Sequence, residues 1–315
     1  MPLRFLTLLL ALLAPLAFAG CDLRYALFGL PAPTYQSAAT TPIELPFRES
    51  AGLMLVAGTV NGTPVEFVLD TGAPVTVLVN GPQLAPLALD TRGARKLGAE
   101  DNPAVPVGVI RPGFTLAFGP LTLSQLTAVV IEGNNMPCRE RFEKAGFAGV
   151  IGADLFRRYV IEVDHGRQRL VLHEPATWRP AASVGEFALD FRGGLPFTEV
   201  ELRGESPVRA VRLLVDTGAN DTLTLIAGSR AELKLPTNAE RRESCFVAGT
   251  RTTWRGAPLD LVLGRAVAPQ VATSYEDGDK VLRGERHGSL GIGLLKRYAF
   301  AVDYPGKRIV LLRAL

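Results

Sequence analysis

The sequence predicts an all-β protein built as two tandem β-barrel lobes with one short helix each. Three observations predict it. Its 32 Gly and 23 Pro among 315 residues supply more turns than a helical bundle tolerates and favour short strands joined by tight loops. A 47% apolar content with 21% charged residues suffices for packed domains and excludes disorder as the main state. A set of motifs recurs in the same order in both halves of the chain, each half being about 140 residues, an ordinary domain size. Charge excludes a further class: 34 Lys and Arg against 31 Asp and Glu give a net +3 with no dense basic block, so no nucleic-acid partner is expected.

The elements follow in chain order. Residues 1–20, MPLRFLTLLLALLAPLAFAG, hold one charge, Arg4, and then an apolar run from Phe5 to Ala19, the layout of a signal peptide. That run is too short to span a bilayer comfortably. It closes on Phe18-Ala19-Gly20-Cys21, which resembles the bacterial lipobox, with Phe18 where that pattern has Leu or another aliphatic residue. The resemblance implies a lipid on Cys21 that anchors the mature chain to a membrane at the periplasmic face of the bacterial cell envelope. Ala17-Phe18-Ala19 also fits ordinary cleavage, which would release a soluble periplasmic or secreted protein. Losing Arg4 lowers an already small positive charge, so attachment to anionic lipid would have to be covalent.

Residues 21–41 lack sustained periodicity, carry Pro, Ser, Ala and Thr, and read as a tether. In the N-terminal lobe, 42–176, residues 53–60 and 63–70 are apolar-rich strands joined at Asn61-Gly62, the strongest short hairpin signal. Asp70 is thereby set at a strand end, facing a loop. The lobe closes on a strand at 160–164, a turn at His165-Gly166 and a strand at 169–172. A Pro-containing stretch, 173–185, separates the halves, and the connector is placed at 177–186. The C-terminal lobe, 187–315, has a longer turn at 203–207 before a strand at 208–216, and closes on 300–303, Pro305-Gly306 and 308–311. One helix is expected per lobe, at 155–159 and 294–298, each ending on basic residues that suit a helix C-terminus.

The repeat is sharpest around two aspartates. Val68-Leu69-Asp70-Thr71-Gly72-Ala73 is echoed by Leu214-Val215-Asp216-Thr217-Gly218-Ala219. Upstream, Leu45-Pro46-Phe47-Arg48 is echoed by Leu189-Asp190-Phe191-Arg192; downstream, Gly149-Val150-Ile151-Gly152 is echoed by Gly288-Ser289-Leu290-Gly291. Asp-Thr-Gly-Ala after an apolar strand, followed by apolar-apolar-Gly and a short helix, resembles the retropepsin-like aspartic peptidases, the superfamily of retroviral proteases with pepsin as a two-lobed relative. The resemblance covers essentially everything after the tether. Retroviral members build one site from two identical chains, whereas this chain supplies both aspartates. The resemblance therefore implies two retropepsin-like acid-protease lobes in a pseudo-twofold, pepsin-like arrangement, as a monomer rather than a homodimer; a dimer pairing like lobes is the other arrangement.

Asp70 and Asp216 are the expected catalytic pair. Two carboxylates held close together cannot both ionise cheaply, so they share a proton, one acting as general base and the other as general acid toward a water that attacks a peptide carbonyl. Neither a cofactor nor a metal is required, and the partner is a peptide or protein substrate. Gly72 and Gly218 let the backbone approach the carboxylates. By resemblance, Thr71 and Thr217 hydrogen-bond across the lobes. Ala73 and Ala219 stand where pepsin relatives often carry a hydroxyl, and losing that donor should move activity toward a weakly acidic to neutral optimum. The resemblance also implies flaps near 98–108 and 244–254, and substrate bound as an added strand. Ser289 departs from the family's aliphatic residue.

The remaining chemistry-bearing residues are few. With Cys21 set aside, Cys138 and Cys245 are an even pair in an oxidising compartment, as a disulfide or as separate thiols. His165, His173 and His287 share no ligand spacing and read as surface residues. A serine hydrolase fails for want of G-x-S-x-G. The charged segment 139–144 reads as a solvated helical face. Two functional classes follow: an aspartic endopeptidase, or a catalytically inactive envelope lipoprotein that uses the same cleft to hold a peptide or partner.

Overall fold

The computed structural model describes residues 33–315 except 91, 93–95, 98–107, 134–138, 205–206, 247–248 and 279–285. The signal peptide, Cys21, most of the tether, Cys138 and most of the first flap segment lie outside the described residues.

The first half contains β1 (Thr34–Ser37), β2 (Ile43–Ser50), β3 (Leu53–Val60), β4 (Thr63–Leu69), β5 (Val77–Asn80), β6 (Lys96–Leu97), β7 (Gly108–Phe118), β8 (Leu121–Glu132), α1 (Arg139–Ala145), β9 (Gly149–Ile151), α2 (Ala153–Phe156), β10 (Val160–Asp164) and β11 (Arg169–His173). The second contains β12 (Gly185–Ala188), β13 (Asp190–Arg192), β14 (Leu195–Arg203), β15 (Val208–Asp216), β16 (Leu223–Ala227), β17 (Arg241–Phe246), β18 (Gly249–Arg255), β19 (Leu259–Leu263), β20 (Ala266–Val271), β21 (Thr273–Asp277), β22 (Gly288–Gly291), α3 (Ile292–Leu295), β23 (Tyr298–Asp303) and β24 (Arg308–Ala314). The protein is all-β with short helices.

Six strands in the order β3-β4-β9-β5-β8-β7 close into a barrel, β7 pairing back onto β3 through Thr59↔Ala117. Alternation along β4 explains its core: Phe67 and Leu69 point into the barrel while Val68 joins a separate apolar cluster on the other face. In the second half β14-β15-β22-β16-β21-β18 repeats those neighbours. Here β18 and β19 run where the first half has the single β7, and β19 pairs with β14 through Glu201↔Val262. The halves meet in a run of six strands, β12-β24-β23-β10-β11-β2, three from each half. At its centre Val163 of β10 faces Phe300 of β23. Phe67, Phe118, Phe156 and Phe300 are fully buried, each worth about 1.5–3 kcal/mol of transfer free energy.

Several elements differ from the sequence reading. The helices after each Gly-x-x-Gly start at Ala153 and Ile292, two residues earlier than expected, because their first N–H groups are taken by the preceding loops: Ala153 N donates to Ala73 O (2.9 Å) and Ile292 N to Ala219 O (2.8 Å). Residues 34–37 of the expected tether form β1, antiparallel to β8, and the Tyr35 hydroxyl donates to the carbonyl of Asp154. A four-residue strand is too short for its periodicity to be read, and pairing with β8 satisfies its backbone. Within the connector, Trp178 is buried against Val160, Ala301 and Val310, its Nε1 donates to Glu162 Oε1 (2.8 Å), and β12 begins at Gly185. The His165 side chain is only 7% exposed, wedged beside Phe47 and Phe300 with Nδ1 2.8 Å from Glu49 Oε1, so it is not a surface residue. The expected helix at 139–144 is α1.

Removing the Tyr35 hydroxyl deletes its hydrogen bond to the Asp154 carbonyl while leaving the ring contact with Tyr159. Tyr35→Phe is expected to cost about 1 kcal/mol, read as a lower urea midpoint at unchanged m-value.

Candidate active site

Each aspartate ends a strand whose register is fixed by the Gly-x-x-Gly strand beside it. Asp70 follows β4, where Leu69 faces Ile151 of β9 in a parallel pair, and Asp216 ends β15 facing Gly291 of β22. After each Asp the chain turns at once, Ala73 N reaching Asp70 O and Ala219 N reaching Asp216 O, both at 3.3 Å. The loops then rest on the second glycine of Gly-x-x-Gly. A Cβ on Gly152 would lie 2.1 Å from Ala73 O, and one on Gly291 would lie 2.0 Å from Asp221 O. No other residue fits there without displacing the loop. Ser289 is buried within β22 opposite Leu214, and the parallel register runs through it unbroken.

Thr71 and Thr217 interlock. The Thr71 hydroxyl donates to Val215 O (2.7 Å) and accepts from Thr217 N (3.0 Å), while the Thr217 hydroxyl donates to Leu69 O (2.9 Å) and accepts from Thr71 N (3.0 Å). Both side chains are buried. From the shared sheet, Tyr304 Oη donates to Thr71 O (3.0 Å). Across the other side of the loops, Asn220 Nδ2 donates to Ala51 O (3.1 Å).

This clamp sets the two carboxyls against each other. The carboxyls of Asp70 and Asp216 come close enough for each to perturb the other. Gly218 N lies 3.1 Å from Asp70 Oδ1 and 3.0 Å from Asp216 Oδ1, and Gly72 N is 2.6 Å from Asp70 Oδ1. A Cβ on Gly218 would stand 2.4 Å from Asp70 Cγ, and one on Gly72 2.8 Å from Asp216 Cγ. Burial pushes both carboxyls above the ordinary carboxylate range. Asp70 is pushed furthest, because the charge of Asp216 and the hydrogen bond to it add to desolvation. Asp216 is raised less: the hydrogen bond from Asp70, the Arg286 guanidinium and the backbone N–H groups of Gly218 and Ala219 all favour its anion. The two carboxyls therefore hold one proton between them above the ordinary carboxylate range.

The structure thus brings together all eight residues picked out at the two Asp-Thr-Gly-Ala sequences. Sequence reading missed Tyr304, Asn220, Arg286, Glu276 and the buried Asp154, whose Oδ2 accepts from Thr76 N (2.7 Å) and Oγ1 (2.8 Å) beneath the first loop. Only Asp154 left a signal, an acidic residue in the otherwise apolar Gly152-Ala153-Asp154-Leu155-Phe156. Of the expected flaps, the second is the β17–β18 hairpin, with Arg241 facing Trp254 and its tip at 247–248 outside the described residues. The pairing of Cys138 with Cys245 also lies outside them.

Residues 56–155 match the model of the aspartyl protease family. That segment is similar to the aspartyl proteases. No curated protein matches the chain. The matched segment includes Asp70 and the first Gly-x-x-Gly, while Asp216 lies beyond it. The family match supports a peptidase function.

Two outcomes test this geometry. Thr71→Val strands the Thr217 N–H and the Val215 carbonyl in a buried site, an expected loss of about 3 kcal/mol in urea unfolding. The second concerns pH. A carboxyl raised in the folded state favours folding below its unfolded-state value and loses that contribution as pH rises through the folded value. Asp70→Asn should therefore melt higher than the native chain at pH 7–8, with the gap closing toward pH 4.

Proposed function

We propose that the chain is an aspartic endopeptidase whose dyad is Asp70 and Asp216, held in one polypeptide by two repeats of the same lobe. The observation that carries this reading is the reciprocal Thr71–Thr217 lock, which sets two buried carboxyls with raised proton affinity against each other.

In the proposed reaction, the Asp216 carboxylate accepts a proton from water as the water oxygen bonds to the scissile carbonyl carbon. Asp70 donates its proton to the carbonyl oxygen, giving a neutral gem-diol. On collapse, the Asp216 proton passes to the amide nitrogen, the C–N bond breaks, and a diol hydroxyl returns its proton to Asp70. One proton again resides on the pair and no covalent intermediate forms. The Arg286 charge favours the Asp216 anion and so supports Asp216 as the base. Because the pair must keep one proton, and that proton is held above the ordinary carboxylate range, activity is expected to extend toward neutral pH and to fall as alkali removes it. Both carboxyls coming from one chain supports a monomer. The leader and its Phe18-Ala19-Gly20-Cys21 ending support a lipid-anchored protein at the periplasmic face of the bacterial envelope.

The test incubates residues 33–315 with a diverse peptide mixture at pH 4–8 and reads new termini by mass spectrometry. Native protein should cleave, and Asp70→Asn and Asp216→Asn should each lower kcat by at least about a thousandfold. Cleavage that survives either substitution overturns the shared dyad. A folded native protein that retains peptides without cutting them is instead a binding groove.

A further inference from the structure

The loops that carry the two aspartates are held on their helices in different ways. In the second half the helix holds the loop with its backbone: Ile292 N donates to Ala219 O (2.8 Å), Gly293 N to Asp221 O (3.1 Å) and Gly291 N to Thr222 O (3.1 Å). A Cβ on Gly293 would meet Asn220 O, Asp221 O and Thr222 Oγ1, all at 2.9 Å, so the loop lies directly on α3. In the first half Ala153 N still donates to Ala73 O (2.9 Å), but Asp154 stands where the second half has Gly293. Its side chain reaches the loop: Oδ2 accepts from Thr76 N (2.7 Å) and from Thr76 Oγ1 (2.8 Å). Asp154 and Thr76 are both fully buried. The far end of the Asp70 loop thus rests on a side chain, where the far end of the Asp216 loop rests on backbone.

Asp154 is in turn held by the N-terminal segment. Tyr35 of β1 donates its hydroxyl to the Asp154 carbonyl and sets its ring edge-on to Tyr159, centroids 6.5 Å apart, just past the end of α2. β1 is fixed by antiparallel pairing with β8, from Thr34↔Ser124 to Ser37↔Leu121, and Ala38 N donates to Pro120 O (3.0 Å). The same β8 holds Thr76 from its other side, Val129 N donating to Thr76 O (3.0 Å). β1 therefore grips the two elements, α2 and β8, that fix Thr76. Among the described residues the second half has no such arm: β21, which takes the place of β8, pairs only with β16 and β18. The asymmetry falls on Asp70 alone.

Resting on the peptidase reading, we infer that Asp154 is a positioning residue for Asp70 and that Tyr35 extends its hold to β1, so the segment leading from the proposed anchor supports catalysis. Neither residue touches a reacting atom. Both act by fixing the loop on which Asp70 stands. A displacement of about 1 Å at a reacting group can cost on the order of a hundredfold in rate, and a loosened loop of this kind lowers kcat rather than raising KM.

The experiment measures cleavage of a diverse peptide mixture by the full chain and by its Tyr35→Phe, Asp154→Ala and Asp154→Asn variants. Trp178→Phe, which gives up the hydrogen bond to Glu162, controls for lost stability. The carboxyl carbon NMR signals of Asp70 and Asp216 are titrated in the same proteins. Tyr35→Phe should lower kcat about fivefold and Asp154→Ala at least about thirtyfold, each with KM within about twofold of native. Asp154→Asn keeps an acceptor oxygen for Thr76, and it and Trp178→Phe should stay within about twofold in kcat. In Tyr35→Phe and Asp154→Ala the raised step of the carboxyl titration should move toward the ordinary carboxylate range. Native kcat and native titration in Tyr35→Phe overturn the proposal and leave the peptidase reading intact; this variant decides alone where Asp154→Ala does not fold. The proposal also falls where Asp154→Asn loses as much as Asp154→Ala, or Trp178→Phe as much as Tyr35→Phe. No cleavage by any of the proteins, with the titration shifted in Tyr35→Phe, overturns the peptidase reading alone. No cleavage with the titration unmoved overturns both.

Discussion

Four hydrogen bonds between Thr71, Thr217 and the strands beneath them hold the two halves in register at the dyad. Each hydroxyl donates to a carbonyl of the opposite strand end and accepts an N–H from the opposite loop, so neither loop satisfies its own backbone. The loops are stable only together. Everything near them follows from that mutual dependence: glycine at 72 and 218 because the partner's carboxyl stands where a Cβ would be, and glycine at 152 and 291 because the loops rest on the next strand.

Placing two carboxyls in such a site costs free energy, and the rest of the fold opposes the cost. Tyr304, at the end of β23, reaches from the shared sheet to Thr71, and packs on Phe156 of α2 and Phe191. The sheet that joins the halves is thus coupled to the loops it supports. Opening the halves would expose the continuous core around Phe156, Phe300 and Leu172 and unpair Val163 from Phe300. That apolar penalty keeps the carboxyls together although their charges repel.

Much of this was legible in the sequence, and for local reasons. Asn61-Gly62 fixes a hairpin, the hairpin fixes the strand, and the strand end fixes Asp70. The same Asp-Thr-Gly-Ala on a matching strand fixes Asp216. What escaped depends on contacts between residues far apart in the chain. Tyr304 is 233 residues from Thr71, and nothing around it marks a loop support. Tyr35 sat in a segment whose composition reads as tether, because four residues that complete the edge of another strand need no periodicity of their own. His165 looked exposed in its turn, yet the shared sheet folds Phe47 and Phe300 around it. Helix starts differ from the sequence reading because the carbonyls that hold their first N–H groups, from Ala73 and Ala219, lie 80 and 73 residues upstream, a long-range capping that local signals do not record.

The repeat also hides a difference. Thr71 and Thr217, or Gly152 and Gly291, must stay alike because each pair performs one task at a symmetric place. The walls beside the dyad carry no such demand. A site assembled from two identical chains has identical walls, so a charge near one aspartate is a charge near both. A single chain escapes this: Phe147 and Arg286 occupy equivalent positions and are free to diverge.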